Sequence, residues 1–138
     1  MIDQRGKLIV LLVYILYAFS IFQLFRRFFC AEIIRSCLFE NLGKELPYCC
    51  EVRIESFREP KKDEKKLTRI GAEIVVERSS QKGIVIGTKG DKIKTVGTQA
   101  RKKLQTFLET KVHLDLSVKV DKDWRNKDDK LKQFGYKR

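Results

Sequence analysis

Residues 84–94 read IVIGTKGDKIK, an apolar run followed by two glycines three positions apart and then by lysines. Glycine adopts backbone angles that are closed to other residues, and it lacks the Cβ atom that would keep another chain at a distance. The stretch predicts a turn of helix at 84–86, a tight turn at 87–90 and a second helix that begins at Asp91. A ligand can approach the backbone closely at such a turn.

The helix after this turn is predicted to be amphipathic and basic. Apolar residues recur at the spacing of one buried helix face, namely Ile93, Val96, Ala100, Leu104, Phe107 and Leu108. From Gln81 to Lys111 the chain has eight basic residues and two acidic ones. The first amide groups of a helix, together with its dipole, attract phosphate. The pattern indicates a phosphate-binding turn, although basic residues alone are as typical of an ordinary solvated surface.

Three segments alternate apolar and polar residues with the period of a half-buried strand, namely 50–57, 70–79 and 112–120. The first two flank a charged loop at 58–69, which favours an antiparallel pair.

Helices are predicted on either side of these strands. Apolar residues at helical spacing predict a helix at 31–42, which Gly43 would end. A short final helix is predicted in the tail, with Trp124, Leu131 and Phe134 as packing contacts. The expected fold is α+β with the order α-β-β-α-α-β, in which helices cover one face of a three-stranded sheet, followed by that short C-terminal helix.

Length and charge restrict the class of partner. The 138 residues suffice for one domain and an appendage. With 30 lysines and arginines against 18 acidic residues, the net charge is +12. An excess of this size predicts a polyanionic partner, which is either nucleic acid or an anionic membrane surface.

The sequence offers little for catalysis or metal binding. Cys30, Cys37, Cys49 and Cys50 form no metal-binding spacing, and the single histidine, His113, lies far from them. We predict reduced thiols, no catalytic residue, no metal and no cofactor. Phe107 is the sole aromatic residue between Ser79 and Lys111, which argues against a sheet that stacks bases on aromatic rings.

Four longer stretches occur in one order: AEIIRSCLFENLGKELPY, GAEIVVERSSQKGIVIGTKGDKIKTVGTQARKKLQ, KVHLDLSVKV and a terminal W…LKQFGY. From about Arg27 to Arg138 the chain resembles the C-terminal domain of the Era family of GTPases, which is a type II KH domain. The resemblance implies binding to single-stranded RNA, namely the 3′ end of small-subunit ribosomal RNA, during assembly of the small ribosomal subunit. We expect the chain to act as a monomer, in the cytoplasm or in an organelle matrix (chloroplast stroma or mitochondrion).

The resemblance also implies which residues bind RNA. The phosphate-clamping turn would consist of Gly87, Thr88, Lys89 and Gly90. The groove for the bases would be bordered by Val85, Ile86, Ile93 and Lys94, and Lys92 and Arg101 complete the expected set.

The chain departs from the family in lacking any match to GxxxxGK followed by Ser or Thr, the phosphate loop of a GTPase. NKDD at 126–129 matches the guanine-recognition pattern NKxD, but it falls in the expected C-terminal helix without its companion motifs. We interpret it as a chance match and predict an RNA-binding module without a GTPase domain.

Residues 1–26 have no counterpart in the family, and 27–138 form the expected KH domain. Residues 8–25 carry no charge over 18 positions, which is near the shortest length that spans a bilayer. Because IDQR at 2–5 and RRFF at 26–29 would rejoin as a family-like junction, our first hypothesis is that 6–25 is a translated intron or gene-model artefact. The alternative is a membrane anchor, which would make the protein a membrane-tethered adaptor with its basic domain on anionic lipid.

Overall fold

A computed structural model describes residues 3–43, 49–62 and 65–124. The elements are, in chain order, helix α1 (Gln4–Asn41), strand β1 (Cys50–Arg58), strand β2 (Leu67–Val76), helix α2 (Ser79–Ile86), a 3₁₀ turn (Thr88–Gly90), helix α3 (Asp91–Leu108) and strand β3 (Lys111–Val120). The predicted order α-β-β-α-α-β is confirmed, and so is the α+β class.

The three strands form one mixed sheet in the order β1-β2-β3. Strands β1 and β2 are antiparallel, with Cys50 opposite Val76. Strands β2 and β3 are parallel, with Val76 opposite Val120. A parallel pair needs a crossover connection, and here the crossover consists of α2, the 3₁₀ turn and α3. The candidate site therefore lies in the connection that crosses the sheet.

The hydrophobic core lies between one face of the sheet and the helices. It includes the predicted alternating residues of β2, namely Ile70, Ala72, Ile74 and Val76, with Ile34, Cys37 and Leu38 from α1 and Val96, Ala100 and Leu104 from α3. The buried face predicted for α3 is thus confirmed at its centre. Phe107 was expected in it but is 41% exposed, and its ring stacks on Phe29 of α1 at the last turn of α3.

Two predicted boundaries are wrong by several residues. Strand β2 begins at Leu67 and ends at Val76, and α2 already begins at Ser79. The carboxamide oxygen of Gln81 accepts hydrogen bonds from the N–H groups of Glu77 and Arg78, which stabilises an early helix start. At the other end, Thr68 is buried in the core, so the strand extends into the run that was predicted to be a loop.

Helix α1 is longer than the predicted helix at 31–42, since it runs without interruption from Gln4 to Asn41. Its second half packs against α3 and β1, whereas the large apolar residues from Leu8 to Phe28 that lie on its surface each expose 47% to 70% of their area. After β3 the chain turns, and Trp124 is partly buried. The predicted C-terminal helix, with Leu131 and Phe134, lies outside the described residues.

Candidate nucleic-acid interface

The turn between α2 and α3 requires glycine at its first position. Gly87 ends α2, and its N–H donates to the carbonyl oxygen of Gly83 at 2.9 Å. Its backbone angles, φ 76° and ψ 179°, belong to a region that is essentially confined to glycine. Lys89 and Gly90 follow with φ 55° and φ 75°, both left-handed. The chain reverses direction within four residues.

The two glycines of the turn have different surroundings. A β-carbon on Gly87 would overlap Oδ1 of Asp91 and would lie 2.6 Å from Cγ of Lys92, which no unstrained structure permits. A β-carbon on Gly90 would meet nothing within 4 Å. Gly87 is therefore needed for packing within the protein, whereas Gly90 leaves its backbone open to an approaching ligand.

The expected RNA-binding residues fall into two groups. Five polar side chains are exposed around the turn and along α3, namely Thr88, Lys89, Lys92, Lys94 and Arg101. Ile86 and Ile93 are half-buried and flank the turn, so both are accessible to a base. Val85 is completely buried, which means that its side chain supports this surface from below.

The start of α3 is less open to anions than its sequence predicts. The N–H of Asp91 donates to the carbonyl oxygen of Thr88. The N–H of Lys92 donates to Oδ1 of Asp91 at 2.7 Å. Two amides that were expected to face phosphate are thus already used, and a carboxylate stands beside the turn. Sequence reasoning missed this role of Asp91, although an acidic residue at the first helical position is a known signal.

One side of α3 is occupied by α1. Nζ of Lys103 lies 2.7 Å from Oε1 of Glu40, and Nδ2 of Asn41 donates to Oε1 of Gln99, also at 2.7 Å. At 3.6 residues per turn, Lys94 and Arg101 lie on the opposite side of the helix. Their charges are therefore available to a ligand.

Lys94 and Arg101 face the edge of the sheet formed by β3. Gly97 lies between them on the same side of α3, and a β-carbon there would be 3.5 Å from Cδ1 of Leu116. The residues of β3 on this side are only partly buried after Val112, namely Leu114, Leu116, Val118 and Val120. An apolar strip bordered by two basic side chains suits stacked or inserted bases. These β3 residues were not in the predicted site, although the alternation of apolar and polar residues had placed them on one face of a predicted strand.

The described part of the chain contains no group of three His, Cys, Asp or Glu side chains that could hold a metal ion. Burial raises the pKa of the Cys50 thiol to about 11, so this thiol stays protonated near neutral pH. His113 is exposed on β3. The NKDD motif at 126–129 lies outside the described residues.

The chain matches the protein family described as KH domain over residues 45–125. This range includes the three strands, the turn and both helices of the crossover.

Comparison with curated proteins points to GTPase Era. The chain is 47% identical over 110 residues to GTPase Era of Geotalea uraniireducens, and 47% identical over 111 residues to that of Xylella fastidiosa. Each match covers 80% of this chain and 36% of the relative. The chain thus spans about a third of the length of the curated relatives that it matches.

Two solved structures have the same fold with a TM-score of 0.69 and 35% identity, again over 80% of this chain and 36% of theirs. One is Aquifex aeolicus Era bound to GDP.AlF4-. The other is Era in complex with MgGDPNP and nucleotides 1506–1542 of 16S ribosomal RNA. These matches confirm the predicted resemblance to the Era family and the type II KH fold.

Proposed function

The chain belongs to the KH domain family, and on that premise we propose that it clamps single-stranded RNA at the turn of residues 87–90. The RNA we propose is the 3′ end of small-subunit ribosomal RNA, bound during assembly of the small ribosomal subunit. The protein acts as a single copy and needs no cofactor for this binding.

The open turn is the observation that carries this proposal. Thr88 and Lys89 are exposed at its tip, and nothing would contact a β-carbon at Gly90 within 4 Å. KH domains clamp about four nucleotides with a turn of this Gly-x-x-Gly form. The phosphates would lie along the turn, with Lys89 and Lys92 as counter-charges, while the bases would lie between Lys94 and the apolar edge of β3.

The identity of the RNA rests on similarity to Era. An Era structure of the same fold is a complex with nucleotides 1506–1542 of 16S ribosomal RNA. The corresponding RNA of the host of this chain is accordingly the first one to assay, alongside a scrambled single strand of equal length. A preference for the authentic 3′ end would support the ribosomal role, and equal binding to both strands would contradict it.

The decisive variant replaces both exposed residues of the turn, Thr88→Asp with Lys89→Asp. Two carboxylates would then face the phosphates, so we expect affinity measured by fluorescence anisotropy to fall at least tenfold, or about 1.4 kcal/mol. Most exposed substitutions change stability by less than about 0.5 kcal/mol, so the thermal melt should remain close to that of the wild type.

A matched control makes the same change of charge elsewhere on the surface. Lys102→Asp with Thr106→Asp also converts one lysine and one threonine to aspartate, at exposed positions of α3. This control should bind RNA much more tightly than the turn variant. A folded turn variant with wild-type affinity would mean that the turn has no part in binding.

Salt dependence measures how many phosphates the turn contacts. Single strands give a log–log slope of about −0.7 per neutralised phosphate. Three or four contacts therefore predict a slope of about −2 to −3. A slope near zero would be inconsistent with a phosphate clamp.

We further propose that the chain itself does not hydrolyse GTP. The family match spans residues 45–125, and the described residues there provide no phosphate loop. Equilibrium dialysis with a GTP analogue should detect no binding. Binding that disappears in an Asn126→Ala variant would overturn this proposal and restore NKDD as a guanine site.

A further inference from the structure

The first part of α1 projects from the domain as an apolar helix. Residues 8–25 carry no charge, and their large apolar side chains on all sides of the helix are exposed. Helix α1 is long and apolar enough to cross a membrane, and none of its most apolar stretch is buried within the domain. A helix that is apolar all round is stable only inside a large core or a bilayer, and no core of this chain covers it among the described residues.

The dimensions of this segment match a bilayer. At 1.5 Å per residue, the 18 uncharged residues 8–25 extend for roughly 27 Å. The hydrocarbon core of a bilayer is about 30 Å thick, so the segment is near the shortest helix that spans it. Arg5 and Lys7 precede the uncharged segment, and Arg26 and Arg27 follow it. Arg5, Lys7 and Arg27 are exposed, so basic side chains at both ends are well placed to reach lipid headgroups.

Side chains of the domain pack against the base of this segment. Arg26 forms an ion pair with Glu59, and its guanidinium lies 5.2 Å from the ring centroid of Phe57 at the end of β1. Phe29 stacks on Phe107 with a centroid distance of 5.8 Å. Because α1 continues without a break into the core, the end of the domain that carries Phe57 and Phe107 faces whatever surrounds the apolar segment.

The same end of the domain carries the basic loop between β1 and β2. The loop itself, residues 59–66, has four basic and three acidic side chains, and Arg58 and Arg69 at the adjoining strand ends add two more basic ones. One of the acidic residues is Glu59, which is paired with Arg26. Arg58, Lys61, Lys65 and Arg69 line a single cleft with Glu59 and Leu67. A positively charged surface thus adjoins the base of the apolar helix.

From these two features we propose that residues 8–25 span an anionic bilayer, and that the loop between β1 and β2, with Arg58 and Arg69 of the adjoining strand ends, lies on the headgroups of the adjacent leaflet. The apolar segment supplies insertion, and the basic side chains of the loop supply a preference for anionic lipid. This assignment goes beyond the proposed RNA binding and does not depend on it.

The arrangement leaves the RNA turn free. Helix α3 runs back along α1, since Phe107 meets Phe29 and Gln99 meets Asn41. From Phe107 to Asp91 the helix extends for roughly 24 Å. The turn at 87–90 therefore lies at the end of the domain away from the bilayer, and the protein binds membrane and RNA at the same time.

Flotation of the full chain with vesicles tests insertion. The vesicles contain phosphatidylcholine with or without phosphatidylglycerol, and each sample is washed with alkaline carbonate before centrifugation. Wild-type protein should float and resist the wash. Leu12→Lys with Leu16→Lys, in the middle of the segment, should reduce the floating fraction at least tenfold, whereas Leu12→Ala with Leu16→Ala should float.

A second pair of variants tests the loop. Lys65→Ala with Lys66→Ala should weaken the preference for phosphatidylglycerol vesicles while leaving carbonate resistance unchanged. The control, Lys119→Ala with Lys122→Ala, removes the same charge near the other end of the sheet and should keep that preference. Equal lipid preference in both variants would overturn the role of the loop.

The test separates this proposal from the function of the turn. The Thr88→Asp, Lys89→Asp protein should float like the wild type without carrying labelled RNA. Release of wild-type protein by carbonate would overturn the bilayer assignment. Unchanged flotation of the Leu12→Lys, Leu16→Lys protein would also overturn it. The same holds if α1 self-associates in place of inserting, or if mass spectrometry shows that the mature protein lacks residues 6–25.

Discussion

Gly87 and Lys92 approach each other so closely that a β-carbon at position 87 would lie 2.6 Å from Cγ of Lys92. This contact joins the end of α2 to the first turn of α3, and it fixes the direction in which the tip of the turn projects. The packing of one glycine thus determines where Thr88 and Lys89 are presented.

Alanine at Gly87 should be far more damaging than alanine at Gly90. Gly87→Ala places a side chain in a glycine-only backbone region and against Lys92, so we expect a loss of about 2 kcal/mol or more together with loss of RNA binding. Gly90→Ala should cost only about 1 kcal/mol, since its surroundings are open. Urea denaturation and anisotropy of both variants check this. Equal losses would mean that the close contacts of position 87 with Asp91 and Lys92 are unimportant.

Removing the charge of Asp91 should strengthen RNA binding. Asp91→Asn keeps an oxygen that can accept from the N–H of Lys92 but removes a carboxylate beside the turn. We expect affinity to rise severalfold, because a charge at a helix N-terminus is typically worth 0.3–1 kcal/mol, about twofold to fivefold. The free energy of unfolding should fall by a similar amount. Anisotropy at low salt measures the effect, and unchanged affinity would place the phosphates away from Asp91.

The thiol of Cys50 should make stability depend on pH in the alkaline range. Burial, followed by the neighbouring Cys49, raises its pKa from 9.0 to about 11. The folded chain thus holds this proton more tightly than the unfolded chain. The resulting stabilisation is complete below pH 9 and is lost as pH rises towards 11.

Comparison with Cys50→Ala isolates this effect from other groups that titrate in the same range. The difference in unfolding free energy between wild type and variant should be constant up to about pH 9 and shrink above it. At pH 8, iodoacetamide should modify half-buried Cys49 before Cys50. A difference that does not change with pH would mean that Cys50 is accessible to water.

Side-chain truncation at two positions of α3 should show that the core contributes more to stability than the end of the helix does. Leu104 is completely buried, so Leu104→Ala should cost about 2–5 kcal/mol. Phe107→Ala removes a larger side chain that is 41% exposed, and it should cost less despite its size. Denaturant melts of both variants measure the order. A greater loss at Phe107 would show that its stack on Phe29 contributes more than the core contact.

The sequence allowed most of the fold to be predicted because its strongest patterns have only one physical interpretation. The alternation from Val112 to Val120 is compatible with a strand that has one covered face, and β3 has that form. The glycine pair at 87 and 90 predicted the turn, since positive φ angles are rarely adopted by other residues. The four stretches that resemble the Era family predicted the topology.

Tertiary contacts account for what could not be predicted. In the apolar run at 84–86, Val85 is buried and Ile84 is 54% exposed, and their residue types alone do not distinguish them. Thr68 is polar and follows a charged run, so its burial in β2 depends on the partners it meets in the fold. The continuity of α1 could have been predicted from the sequence, because neither glycine nor proline separates Phe25 from Ala31.

The parallel pairing of β2 with β3 has a consequence for the time course of folding. Strands β1 and β2 are joined locally, but β3 can pair only after the whole crossover has closed a long loop, and closing such a loop costs entropy before any contact offsets it. Contacts of β3 should therefore form after the rate-limiting step. Val118→Ala should accelerate unfolding and leave the refolding rate nearly unchanged in stopped-flow measurements, whereas slower refolding would contradict this order. The open turn lies inside that loop, so the newly made chain acquires its RNA clamp in one of its last folding events.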